Sequence, residues 1–196
     1  MTEALIFSAA VAAFIWSLPH IGVYWAVLLL LAAAVSFRLH SETYASAGFA
    51  GPEFLRALRN WKVWWAAPAA VVVGLGWGRT PTWGSGYHAM LYCAWCVFQQ
   101  LLFQNMVCKR LRQSTGPSWK NRILAGSLFG AVHLPNPVLT PATLVWGTLS
   151  GYLFEEVPSV SALGLMQFLL STSLFWLTPV SWNHGFRVGP GYWHFQ

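Results

Sequence analysis

Seven apolar stretches, separated by glycine, proline or basic residues, leave this chain few folds to adopt. They lie near Ala4–Leu18, Gly22–Phe37, Lys62–Trp77, Tyr87–Cys108, Ile123–Leu134, Pro141–Phe154 and Ser159–Leu177. A helix crossing a bilayer needs about 20 mostly apolar residues, and a tilted or hairpinned one accommodates a mismatch in length. Only 8% of the residues are charged, against about 25% in a soluble domain. These features predict an all-α membrane protein, a polytopic bundle of about seven transmembrane helices forming one domain over residues 1–196. Irregular backbone is excluded from lipid because its amides would go unpaired.

The net charge of +6 does not indicate a nucleic-acid partner. The basic residues sit beside apolar stretches, as the positive-inside bias requires, and membrane lipids are the expected surroundings. The 38–62 connection carries four basic and two acidic residues, and the 109–122 connection carries five basic residues. Two helices separate them, so both face the same side. Seven spans then put the amino terminus in the cytoplasm and the tail outside, in a bacterial inner membrane. Within 38–62, the stretch EFLRALRNW (53–61) alternates apolar and basic residues at helical spacing and is expected to lie along the interface. Residues 1–61 thus form a helix pair plus an interfacial segment, and residues 179–196 a C-terminal loop. Trp61, Trp64, Trp65, Trp77 and Trp83 fall near expected interfaces.

Residues 98–112 read FQQLLFQNMVCKRLR. Amides within a span are costly unless partnered. Gln100 and Gln104 are four apart and share a helix face with Gln99 beside them. Gln167 and Ser171 repeat that spacing on the last helix. With His133 they can line one pocket, or act as an interhelical hydrogen-bond network that holds the bundle together. Gly147 and Gly151 permit close helix approach. Cys93 and Cys96, on one helix face, read as small apolar residues, since no second ligand set lies near them.

The order of these residues resembles the CPBP family of CAAX proteases and bacteriocin-processing enzymes. FQQLLFQNMVCKRLR is similar to the family's first motif, E-E-x-x-x-R. SLFGAVHLPNP (127–137) resembles the second, F-x-x-x-H, with Phe129 and His133 in place. LVWGTLSGYLFEE (144–156) resembles the glycine-bearing helix, and SVSALGLMQFLLSTS (159–173) falls where the family carries H-x-x-x-N. The resemblance covers residues 62–178 and implies an intramembrane endopeptidase fold. In the family the first glutamate activates a water, while the arginine and histidines hold that water and the oxyanion. Here Gln99 and Gln100 stand at the glutamates and Gln104 at the arginine; Gln167 and Ser171 replace the last histidine and asparagine. His133 keeps its identity.

A carboxamide has no basic form near neutral pH and only a carbonyl acceptor and an NH2 donor. Gln99 can orient a water but cannot deprotonate it. General acid–base catalysis is worth roughly 10²–10⁴-fold, and an oxyanion donor about 10²–10³-fold. The expected protein is therefore a degenerate family member with weak or no glutamate-dependent proteolysis. Its expected ligand is a lipidated or transmembrane peptide, or an isoprenoid. Catalytic-motif positions are His133, Gln99, Gln100 and Gln104; ligand-binding candidates are Phe129, Gln167, Ser171, His184 and Arg187. The rival readings are a hydrolase using His133 with amide and tail groups, and a structural partner subunit of a membrane complex.

The tail, SWNHGFRVGPGYWHFQ, brings His184 and Arg187 together among glycines that favour a loop. It is either a replacement source of base and anion site or an interfacial cap. Charge topology puts it on the side opposite Gln104. His20, His40 and His88 read as interfacial, and Glu155-Glu156 as solvated charge after the glycine-bearing helix. No cofactor or metal is expected; His133 with His184 is the one long-range pair worth naming for a metal.

Overall fold

The computed structural model describes residues 1–60 and 86–194, and the backbone alone at 18–23. The helix expected at Lys62–Trp77, the turn at 79–86 up to Gly86, and Trp61, Trp64, Trp65, Trp77 and Trp83 lie outside the described residues. Every regular element among the described residues is helical.

The first helical run, α1, spans Thr2–Leu39. Drawn straight, its residues 3 and 36 would stand about 50 Å apart at 1.5 Å per residue. Instead Ser36 Oγ donates to Glu3 Oε1 and His40 Nε2 lies 3.6 Å from Glu3. The run therefore folds back, with Thr2–Ser17 and Tyr24–Leu39 as antiparallel apolar arms. This is the hairpin that two short apolar stretches imply. A wide turn at Ala45–Phe49 follows, with Gly48 at φ 95°. A Cβ there would lie 2.9 Å from Phe154 and 3.1 Å from Val160, so glycine is required by both conformation and space. α2 spans Gly51–Arg59, with Pro52 and Glu53 at its start and Arg56 and Arg59 in its last turn, the polarity that a helix dipole favours.

α3 (Gly86–Leu102) runs through a π-helical turn (Phe103–Cys108) into α4 (Lys109–Thr115). The basic cluster, expected in a connection, is thus helical, and the chain turns only at Gly116, φ 78°. α5 spans Trp119–Ala131; Ser118 caps it by accepting from the Asn121 amide at 3.2 Å. α6 spans Leu139–Glu156, two residues longer at each end than its apolar stretch. α7 spans Val160–Leu177, capped by Ser159. Among the described residues α7 is the one helix both long and apolar enough to cross a membrane; the arms of α1 are shorter.

The tail is more ordered than its glycines suggest. It forms single-turn helices α8 (Val180–Asn183) and α9 (Pro190–Trp193), joined through a 3-10 turn at His184–Phe186. Asn183 holds the shape: its side-chain amide donates to Phe175 O, Thr178 O and Thr178 Oγ1, while its Oδ1 accepts from Gly185 N.

Small residues set the packing. A Cβ on Gly126 would lie 2.2 Å from Thr148 Oγ1, and one on Gly147 2.9 Å from Gly126 Cα, so α5 and α6 meet backbone to backbone. Gly164 does the same for α7 against α3, where a Cβ would lie 2.5 Å from Val97 Cα. Gly151 faces Cys108 Sγ at an ordinary 3.4 Å. Buried Phe103, Met106, Phe129, Trp146, Leu163 and Met166 fill the space between these helices.

Candidate functional site

The close approach of α3 and α7 brings four glutamines into one chain of hydrogen bonds. Gln104 Nε2 donates to Gln100 Oε1 at 2.9 Å. Gln100 Nε2 donates to Gln167 Oε1 at 2.6 Å, and Gln167 Nε2 to Gln99 Oε1 at 2.6 Å. Two further side chains join from α6. Trp146 Nε1 donates to Gln167 Oε1 at 3.1 Å, and Gln104 Nε2 lies 3.1 Å from Ser150 Oγ. Gln100 and Gln104 are fully buried, Gln167 nearly so, and Gln99 half-buried.

The chain has a direction. Each amide donates through its NH2 to the carbonyl of the next, so the free groups collect at its ends. Gln104 Oε1 is buried with no hydrogen-bond partner among the described residues. At the opposite end, Gln99 Nε2 makes no hydrogen bond to a described residue. The assembly carries no charge and no group that titrates near neutral pH. It can orient a ligand or a water through one donor end and one acceptor end, and it cannot remove a proton.

The other candidates are distributed around this chain. Ser171 does not join Gln167; it accepts from Tyr92 Oη at 2.9 Å, one layer nearer the start of α3. Phe129 stacks on Phe103 of the π turn, ring centroids 4.6 Å apart, and forms the link between α5 and the glutamine helix. His133 lies past the end of α5, edge-on to Phe129 at 5.0 Å. Its Nδ1 is 2.6 Å from Phe129 O. A carbonyl only accepts, so Nδ1 carries the proton and Nε2 presents a lone pair. No hydrogen bond joins His133 to the glutamines.

His184 and Arg187 belong to a separate assembly. His184 stacks on Tyr192, centroids 4.2 Å apart. Asn136, fully buried, accepts from the amides of Val138 and Leu139 and donates to Asn183 O and Arg187 O at 2.7 and 3.0 Å. Gly189 N donates to Leu134 O, and Gly189 packs on Ile15. The tail is thereby tied to the turn that carries His133. α5 is 13 residues long, about 20 Å at 1.5 Å per residue, which separates this end from Arg122 and the basic cluster.

The basic end holds a charged cluster that sequence reasoning passed over. Arg110, 3% exposed, donates to Glu42 at 3.2 Å, to Ser36 at 3.3 Å and to Gln113 at 2.9 Å, with Glu3 3.6 Å from its Nε. Lys109 Nζ also bonds Glu42. Burial of Glu42 works to raise its pKa, but hydrogen bonds from Lys109, Ser46 and Arg110 outweigh it and hold the carboxyl below its ordinary value. His40 is bonded to Ser36 O at 2.9 Å and lies beside Glu3, so it belongs to this cluster. Glu155, expected to be solvated, is an ion-pair partner: Arg122 Nη2 reaches it at 2.7 Å, and the hydrogen bond holds the guanidinium pKa above its ordinary value. Glu156 accepts from Tyr152 Oη. Among the described residues no three His, Cys, Asp or Glu side chains converge as a metal site.

Trp146, Ser150 and Asn136 are the site residues that sequence reasoning missed. Trp146 and Ser150 are four apart on the glycine-bearing helix, the same spacing that flagged Gln100 and Gln104. With these positions fixed, residues 81–173 match the family model described as Rce1-like: Type II CAAX prenyl endopeptidase Rce1-like. The match spans just under half of the chain and takes in every glutamine of the hydrogen-bonded chain, Phe129, His133 and Ser171. No curated protein and no solved structure matches the chain.

Proposed function

We propose, from the premise that this chain belongs to the CPBP family of CAAX-type intramembrane proteases, that it is a member whose hydrolytic centre has become a neutral binding site. As in that family, it is an integral membrane protein. The observation that carries the reading is the head-to-tail bonding of Gln104, Gln100, Gln167 and Gln99. At the positions where relatives activate water with a carboxylate, this chain carries amides bonded to one another, with only the Gln99 donor left over. Such a centre can hold a substrate-like group but supplies no base. The fitting ligand is a lipidated or transmembrane peptide, or an isoprenoid chain with a polar end, which meets the open Gln99 amide from within the bilayer. Seven spans, a cytoplasmic amino terminus and a bacterial inner membrane are part of the same proposal.

Reconstituted protein tests this against prenylated C-terminal peptides and a transmembrane peptide. The expected result is retention of peptide without cleavage, retention falling in Gln99→Leu, and hydrolysis emerging in a Gln99→Glu/Gln104→Arg double variant. Cleavage by the unaltered chain would overturn the reading.

A second reading rests on His133. Its Nε2 lone pair is unused among the described residues, and its tautomer is fixed by Phe129 O at 2.6 Å. That is the state of a general base, and it favours a hydrolase in which His133 receives the proton from water. Loss of cleavage in His133→Ala would assign activity to this reading.

A further inference from the structure

On the basic side, α4, α5 and α6 line a shallow, solvent-open cleft. Arg112, Arg122, Ser118, Asn121 and Glu155 line it, and Cys108 and Gly151 form part of its wall. A second, overlapping cavity extends it to Lys109 and Phe154. None of these polar residues belongs to the glutamine chain.

The cations around this cleft are in different states. Lys109 is committed to Glu42. Arg122 is held in position: Glu155 takes its Nη2 at 2.7 Å, and the ring of Tyr152 lies 4.9 Å from its Cζ. Its Nε is buried and makes no hydrogen bond among the described residues. The Arg112 side chain makes no hydrogen bond or ion pair to any described residue, although it lines both cavities. Glu155 balances one guanidinium and leaves the other uncompensated. An idle arginine beside a pre-oriented one, in a shallow cleft, is the arrangement that binds a tetrahedral oxyanion through forked N–H donors.

We propose that this cleft binds a phosphate group, carried by a lipid or free, with Arg112 as the principal ligand and Arg122 as its oriented partner. The proposal is independent of what occupies the glutamine centre. A lipid headgroup and free phosphate offer the same chemistry, and displacement distinguishes them.

The test uses the full chain in nanodiscs of phosphatidylcholine doped with phosphatidylglycerol, and native mass spectrometry of the lipids retained on extraction. Phosphatidylglycerol is expected to be retained over phosphatidylcholine, and Arg112→Gln to lower that preference roughly tenfold, the size of one charge-assisted hydrogen bond. Arg112→Lys should recover part of it. Because Arg112 is unpartnered, its replacement leaves the melting temperature unchanged, which separates lost binding from lost fold. Arg56→Gln, which removes an equal charge from α2, should leave the preference intact. Displacement by inorganic phosphate at millimolar concentration would assign the site to a free phosphoanion; retention of lipid in its presence would assign it to a headgroup. An equal preference in Arg112→Gln and the unaltered chain, or an equal loss in Arg56→Gln, would overturn the proposal.

Discussion

Two polar assemblies are buried in this bundle, and they solve the same problem by opposite means. The glutamine chain is neutral, spans α3, α6 and α7, and lies within the matched family region. The cluster around Arg110 and Glu42 is charged and joins α4 to both arms of α1 and the turn after it. Removing one member of a neutral network costs a hydrogen bond; removing one member of a buried ionic network strands a charge. The first can change its chemistry over evolution at low cost. The second cannot, because any single replacement there leaves an unpaired buried charge.

The comparison breaks most directly at Arg110. Arg110→Met leaves Glu42 and Glu3 with Lys109 and His40 alone, and should destabilise the protein by about 3 kcal/mol in thermal unfolding. Gly164→Ala comes next. Its Cβ would sit 2.5 Å from Val97 Cα, and forcing α3 and α7 apart should cost about 2 kcal/mol while loosening the Gln100–Gln167 bond. Gln100→Leu should cost about 1 kcal/mol, because Gln104 keeps Ser150 and Gln167 keeps Trp146. A loss equal to that of Arg110→Met would erase the distinction drawn here.

The smallest effect is on pH dependence. The folded pKa of Glu42 lies below its ordinary value of 4.5. The stability it contributes is therefore complete above about that pH and is lost as the pH falls through the folded value. Acid unfolding of the native chain should be steeper than that of Glu42→Gln. Gln100→Leu should show the native slope, since the glutamine chain has nothing to protonate in that range.

Much of this was legible in the residues. The apolar stretches marked out α1 as a hairpin and placed α3, α5, α6 and α7, because a helix packed among others shows as an apolar run whatever those neighbours are. The shared face of Gln100 and Gln104 was legible from spacing alone. The partners were not: Trp146 is one of 13 tryptophans, most of which a membrane interface would explain. Arg110 and Glu42 are 68 residues apart and were assigned to loops by their charge. Helical backbone carries charge readily where a buried acid meets it, and only the fold supplies that acid.

The π turn at Phe103–Cys108 has a consequence for how the two assemblies coexist. A π turn holds one more residue than the α-helix it interrupts, and each residue of an α-helix advances about 100° around its axis. The turn therefore absorbs an extra residue without rotating the helix beyond it, and keeps Lys109 and Arg110 in phase with Gln100. Straightening it to α-helix with every residue kept would swing the two cations about 100° around the axis, away from Glu42.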